Sequence, residues 1–221
     1  KELGGLPSAD DPAAIAEWRA RMLERLRADR GAGGVDLEFT SAGRGRGAEL
    51  LREASAKYPD AWVKKSNAVG KVSARFNRSR GWHRSAPADA FGNFNSTIKL
   101  GYKKTAIHEL GHRMQAVMPG LDNFFSQLHA RRTAGEPLER LSHLKPRGRF
   151  DWNEVARPDK YADAYFGKEY SGTPLELLTM SYQGLLHGGL QDGDQDLIER
   201  MLTKDPEMLN LALGLLFNYE P

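Results

Sequence analysis

"KKTAIHELGHRMQAVMPG", Lys103 to Gly120, carries two histidines four residues apart, with a glutamate directly after the first. Residues four apart on a helix lie one turn above the other on the same side, so His108 and His112 can offer imidazole nitrogens to one ion. Glu109 is rotated about the axis yet stays near that face. A carboxylate there can accept a proton from metal-activated water without itself being a ligand. Ile107, Leu110, Met114, Val117 and Met118 form a separate apolar stripe, which leaves the histidines at the margin of the buried face. Gly111 costs a helix up to about 1 kcal/mol relative to Ala, so its presence predicts a close approach, by a neighbouring strand or by substrate. Pro119 and Gly120 end the helix. The plainer reading is an amphipathic helix that happens to hold two histidines.

A hydrolytic zinc site needs three protein ligands and an open position. One class continues as H-E-x-x-H-x-x-G-x-x-H, but Gln115 and Met118 stand where that class has Gly and His. The other class takes a glutamate from a later helix. Glu176, in "TPLELLTMSYQGLLHGG", is the candidate. It has a second explanation: Thr173 as cap, Pro174 next and Glu176 in the third position make a capping box, in which the glutamate bonds back to the cap nitrogen. His83, His129, His143 and His187 have no partner at ligand spacing and read as surface or core residues.

Upstream, "STIKLGY" (Ser96–Tyr102) alternates, with Ile98, Leu100 and Tyr102 on one side and Thr97, Lys99 and Gly101 on the other. It is expected as the edge strand lining a cleft, where a protein or peptide substrate could add as a further strand. Lys99, Lys103 and Lys104 would make that rim basic and suit acidic substrates. Val72 to Ala86 is also strand-like.

Near the N-terminus, Pro12 follows Asp11, and Ile15, Trp18, Met22 and Leu26 recur at helical spacing until Gly31–Gly34. Residues 1–40 read as a helical arm or linker and 41–221 as the main domain. "GAELLREASAKYP", Leu121–Ala134, the Thr173 segment and two stretches around Asp196–Leu202 and Met208–Phe217 read as further helices. Glu136–Asp159 reads as a long surface excursion, and "YADAYFGKEYSG" as a loop or short hairpin. Many helices around a small mixed sheet make an α+β fold.

Composition narrows the classes. Hydrophobic residues are 40% and charged residues 28% of 221, with no apolar run long enough to span a bilayer. Cysteine is absent, so a transition-metal site must use His, Asp or Glu. The chain opens on Lys1, as a fragment or processed product would. A net charge of +3 is too small to argue nucleic-acid binding. Lys64, Lys65, Lys71, Arg75, Arg78, Arg80 and Arg84 do cluster without an acid among them, interleaved with Trp62, Phe76 and Trp82. This reads first as a solvated face, with nucleic acid as the lesser alternative.

"DKYADAYFGKEYSGTPLELLTMSYQGLL" resembles a stretch of phage head-morphogenesis (minor head) proteins, in which a D-x-Y-x-G-K-x-Y segment leads into a helix behind an upstream H-E-x-G-H helix. The closing "KDPEMLNLALGLL" also looks like that family's ending. Tyr165, Gly167, Lys168 and Tyr170 match the Tyr-Gly-Lys segment, whereas Thr179-Met180-Ser181 departs from the Ser-Met-Gly expected there. The resemblance implies a zincin-like metallopeptidase fold with zinc on His108, His112 and Glu176, and Glu109 as base. It is also similar to metallopeptidase toxins of the anthrax lethal factor type, where a tyrosine shortly before the glutamate ligand assists catalysis; here that implies Tyr170, or else Tyr165, as donor to the oxyanion. Phage or delivery-system proteins would be its partners, and the cytoplasm, a phage particle or a target cell's cytosol its place. An inactive zincin-fold phage assembly protein is the alternative.

Overall fold

A computed structural model describes the chain except residues 1–3, 41–43, 78–80, 87, 91, 147, 149, 171–172, 175 and 188–196. Helix α1 (Pro12–Arg30) starts where Asp11 accepts hydrogen bonds from the backbone N–H groups of Ala13 and Ala14. Two of those otherwise unpaired donors are thus satisfied at once. Its Ile15, Trp18, Met22 and Leu26 are at most 2% exposed and belong to the same apolar core as the site helix. The helix expected as an arm is therefore integral to the domain: its apolar stripe is covered by the C-terminal helices rather than left free.

Helices α2 (Arg46–Ser55) and α3 (Asp60–Val69) precede a three-stranded sheet of β1 (Val72–Phe76), β2 (Trp82–Ser85) and β3 (Ser96–Leu100). The order is β1-β3-β2, with β1 parallel and β2 antiparallel to β3. Ser96, Ile98 and Leu100 are buried as the alternation requires. The expected place of β3 is corrected, however: it is the central strand, paired on both sides, and cannot accept an added strand. The edge strand over the site is β2. Tyr102 does not continue the strand but stands at the start of the next helix, 54% exposed.

That helix is α4 (Lys103–Val117), followed by α5 (Pro119–Arg132). Arg113, fully buried on α4, donates to the carbonyls of Ser66 (2.9 Å), Gly70 (3.0 Å) and Phe94 and to the Ser96 hydroxyl (3.0 Å). One guanidinium so ties the site helix to the C-terminal end of α3, where carbonyls favour a cation, and to the start of β3.

Glu136–Asp159, expected as a surface excursion, is partly ordered into the domain. It contributes β4 (Glu139–Arg140), α6 (Leu141–Leu144) and β5 (Val155–Ala156), and fully buries Leu141 and Ala156. These join β6 (Lys168–Tyr170) and β7 (Thr173–Pro174) in an antiparallel sheet of order β4-β5-β6-β7, entered through a 3-10 turn at Ala164–Gly167. The last helices are α7 (Glu176–His187), α8 (Leu197–Lys204) and α9 (Pro206–Asn218). The fold is α+β. Among the described residues no helix is long and apolar enough to cross a membrane.

Candidate metal centre

Helix α4 is packed against α7, and Gly111 is where they meet. A Cβ there would stand 3.1 Å from Thr179 Cγ2 and 3.3 Å from the Tyr58 hydroxyl. The close approach read from the sequence is thus made by a helix and a tyrosine, not by a strand or substrate. It carries the first residue of α7 under the two histidines. His108 Nε2 lies 3.0 Å and His112 Nε2 3.6 Å from Glu176 Oε2, with the imidazole planes at 86°. Among the described residues, these three offer ligand atoms within 4.8 Å of one another and could hold a metal ion. The edge of a tetrahedron with bonds of about 2.0–2.1 Å is about 3.3 Å, and the two N–O distances bracket it.

The capping-box explanation of Glu176 is corrected by the backbone. Thr173 and Pro174 pair with β6 as a strand, so Pro174 is not the first residue of the helix that a capping box requires. Glu176 is therefore not third in its helix, and its carboxylate turns to the histidines. Its two oxygens are held differently. Oε2 faces the imidazoles and accepts from Thr179 Oγ1 at 3.2 Å, while Oε1 accepts from the Tyr165 hydroxyl at 3.2 Å and lies 4.0 Å from Lys168 Nζ. The Tyr165 hydroxyl thus reaches the site through the Glu176 carboxylate. Tyr170 lies in β6; its side chain, like those of Lys103 and Lys104, is outside the described residues.

Three further supports surround these ligands, and sequence reasoning gave none of them its role. Gln115 Oε1 is 2.8 Å from His112 Nδ1, and its amide donates to Asp122 at 2.7 Å. That bond assigns the proton to Nδ1 and frees Nε2 for a ligand bond. The helical spacing of 112 and 115 could have revealed it. Lys168, 1% exposed, pairs with Glu154, which itself accepts from the Asp151 N–H at 2.7 Å. The Tyr-Gly-Lys resemblance pointed to Lys168; nothing in the sequence pointed to Glu154. Gly81, beside β2, leaves room for Glu109: a Cβ there would be 2.7 Å from Glu109 Oε1.

The electrostatics suit a cation. Burial alone would raise the Glu176 carboxyl, but the charge and hydrogen bond of His108, then His112 and Lys168, hold it well below the usual range. Burial also disfavours a proton on His108, but Glu176 and Glu109 outweigh it and push that imidazole up. Burial and the neighbouring His108 push His112 down to about 4, against the pull of Glu176. The Glu176 carboxylate beside it thus favours the protonated form of His108. Two buried carboxylates, Glu109 and Glu176, lie beside the imidazoles, a surrounding that favours a cation.

The other histidines do not join the group. His83 stacks near His112, with centroids 6.3 Å apart, but its Nε2 lies 3.0 Å from the Ser96 hydroxyl, and burial pushes it down to about 3. His129 is buried between Tyr161 (2.7 Å) and Glu169 (2.9 Å). His143 is exposed on α6, and His187 ends α7.

No family model, curated protein or solved structure matches the chain. What the centre can do chemically follows from its own geometry.

Proposed function

We propose that this chain is a zinc-dependent endopeptidase with a zincin-like domain. The observation that carries the reading is the convergence of His108 Nε2 and His112 Nε2 on Glu176 Oε2, at 3.0 and 3.6 Å, with Glu109 on the same helix one residue after His108. A zinc ion held by these three would supply Lewis acidity and activate water near neutral pH. Glu109, only 6% exposed, takes the proton from the attacking water and returns it to the leaving amine. Tyr165 and Thr179 keep Glu176 oriented, and Gln115 keeps His112 in the required tautomer. Tyr170 is the donor we propose for the developing oxyanion. The intact Glu109 favours catalysis over a purely structural metal, since a structural site has no use for a base.

The resemblance of residues 159–186 to phage head-morphogenesis proteins supports a setting in a phage particle or, for a delivered toxin, in a target cell. Metal content and cleavage of casein and a peptide library test the reading together. The wild type should carry one zinc per chain and cleave. Glu109→Gln should keep the zinc and lose cleavage by about 10²- to 10⁴-fold, and Glu176→Ala should lose both. Stoichiometric zinc with no cleavage by the wild type would leave a metal-stabilised assembly domain in place of an enzyme.

A further inference from the structure

We propose that the free edge of β2 seats an extended peptide and that Arg84 selects an acidic side chain about three residues from the bond to be cut. The position of that bond rests on the peptidase reading; the binding of the strand does not.

Strand β2 pairs with β3 on one side, and among the described residues no strand pairs with its other side. The Ala86 N–H donates to the Asn95 carbonyl, and the register continues through Arg84↔Thr97 and Trp82↔Lys99. In an antiparallel ladder every second residue turns its backbone groups toward the partner. Residues 82, 84 and 86 therefore bond to β3, and the N–H and C=O groups of His83 and Ser85 turn to the open edge. That is the pattern a further strand requires.

Side chains alternate in the same way. His83 points toward α4, where it approaches His112. Trp82 and Arg84 point to the opposite face, the guanidinium standing 5.5 Å from the indole centroid. The register puts Lys99 beside Trp82, and Arg75 beside Lys99, on this same face. Arg75, Lys99 and Arg84 thus share one sheet face, and among the described residues none of the three has an ion pair with an acid. Directly opposed residues of neighbouring strands share a face. A peptide residue opposite Arg84 would therefore present its side chain to this basic face, whereas one opposite His83 would turn toward the metal centre.

Gly81 fixes the distance. A Cβ at Gly81 would stand 2.7 Å from Glu109 Oε1, and Arg84 is three residues further on, about 10 Å along an extended strand. A peptide fits this surface better than nucleic acid does. Stacking of bases needs open rings, but Trp62 is fully buried and Trp82 lies under Arg84. Only Phe76, 43% exposed, is open among the three aromatic residues of the basic stretch.

Fluorescein-labelled twelve-residue peptides, identical except for a single Glu or Gln moved along the sequence, test this with zinc-loaded Glu109→Gln protein. Anisotropy at low salt should show one position where Glu binds about fivefold tighter than Gln. Arg84→Glu should reverse that preference and favour Lys there, while Lys64→Glu, an equal charge change on exposed α3, should not. Wild-type digests should place the preferred acid about three residues from the cut. Equal affinities at every position, or a preference that survives Arg84→Glu, would overturn the proposal. Tighter binding of a single-stranded oligonucleotide than of any acidic peptide would overturn it in favour of nucleic acid. Acid-selective binding without cleavage would sink the peptidase reading and leave this one standing. Cleavage with no acidic preference would do the reverse.

Discussion

Replacing Lys168 by Met tests the buried Lys168–Glu154 pair beneath the site. The lysine ammonium is 1% exposed, paired with Glu154 at 9%, and 4.0 Å from Glu176 Oε1. Removing one partner of a buried pair leaves an uncompensated charge, at a cost of about 3–5 kcal/mol. The Asp151 N–H still donates to Glu154, so the lower end, about 3 kcal/mol, is expected. That is a large share of the roughly 5–15 kcal/mol that a domain possesses. Urea denaturation of metal-free protein, followed by circular dichroism, should show the loss. Lys168→Met combined with Glu154→Gln removes both charges and keeps the acceptor for Asp151, and should recover most of it. The double variant leaves the net charge of the site unchanged but no longer holds Glu176 Oε1 through Lys168. Chelator competition should therefore show zinc affinity about tenfold weaker than in the wild type. A single variant costing under about 1 kcal/mol, or a double variant no more stable than the single, would refute the pairing.

Gly111→Ala gains helix propensity but drives a methyl group into Thr179 and Tyr58. Overpacking costs about 1–3 kcal/mol, so a net loss in the urea midpoint is expected, with weaker zinc binding because Thr179 also holds Glu176. At Asp163, burial opposes ionisation, but Lys145, the Tyr165 N–H and Arg200 outweigh it and lower the carboxyl. Its stabilisation is complete above the ordinary carboxylate range and is lost as pH falls through the lowered folded value. Asp163→Asn should therefore cost about 2 kcal/mol at pH 7 and progressively less below pH 4, read from urea midpoints across pH. Zinc at a hundredfold excess over its dissociation constant should stabilise the wild type by about 2.7 kcal/mol. Scanning calorimetry of His108→Ala should show no such gain; an equal gain would place the ion elsewhere.

The local part of the centre was legible because one helical turn specifies it. His108, Glu109, His112 and the apolar stripe from Ile107 to Val117 need only the 3.6-residue period, and the structure places them on α4 as that period requires. Helix α1 was legible for the same reason, but its place was not. A stripe announces that it will be covered without saying by what, and α1 is covered by the core itself. Helix α3 went unread because Asp60 follows directly on the "AKYP" end of the preceding helical pattern, and Pro59 separates the two.

Sequence by itself determined the α+β class, the absence of thiolate ligands and the pair of imidazoles one turn apart. Each follows from residue type and short-range spacing, which act before the chain folds. Only the tertiary structure decided that β2, not β3, is the edge strand over the site, that Glu176 of α7 aims its carboxylate at the histidines, and that Lys168 and Glu154 pair beneath it. Those outcomes depend on strand order, on where a strand hands over to a helix, and on which charges share one dry volume. They are set by contacts between residues as far apart as 68 positions, His108 to Glu176, which no local period encodes.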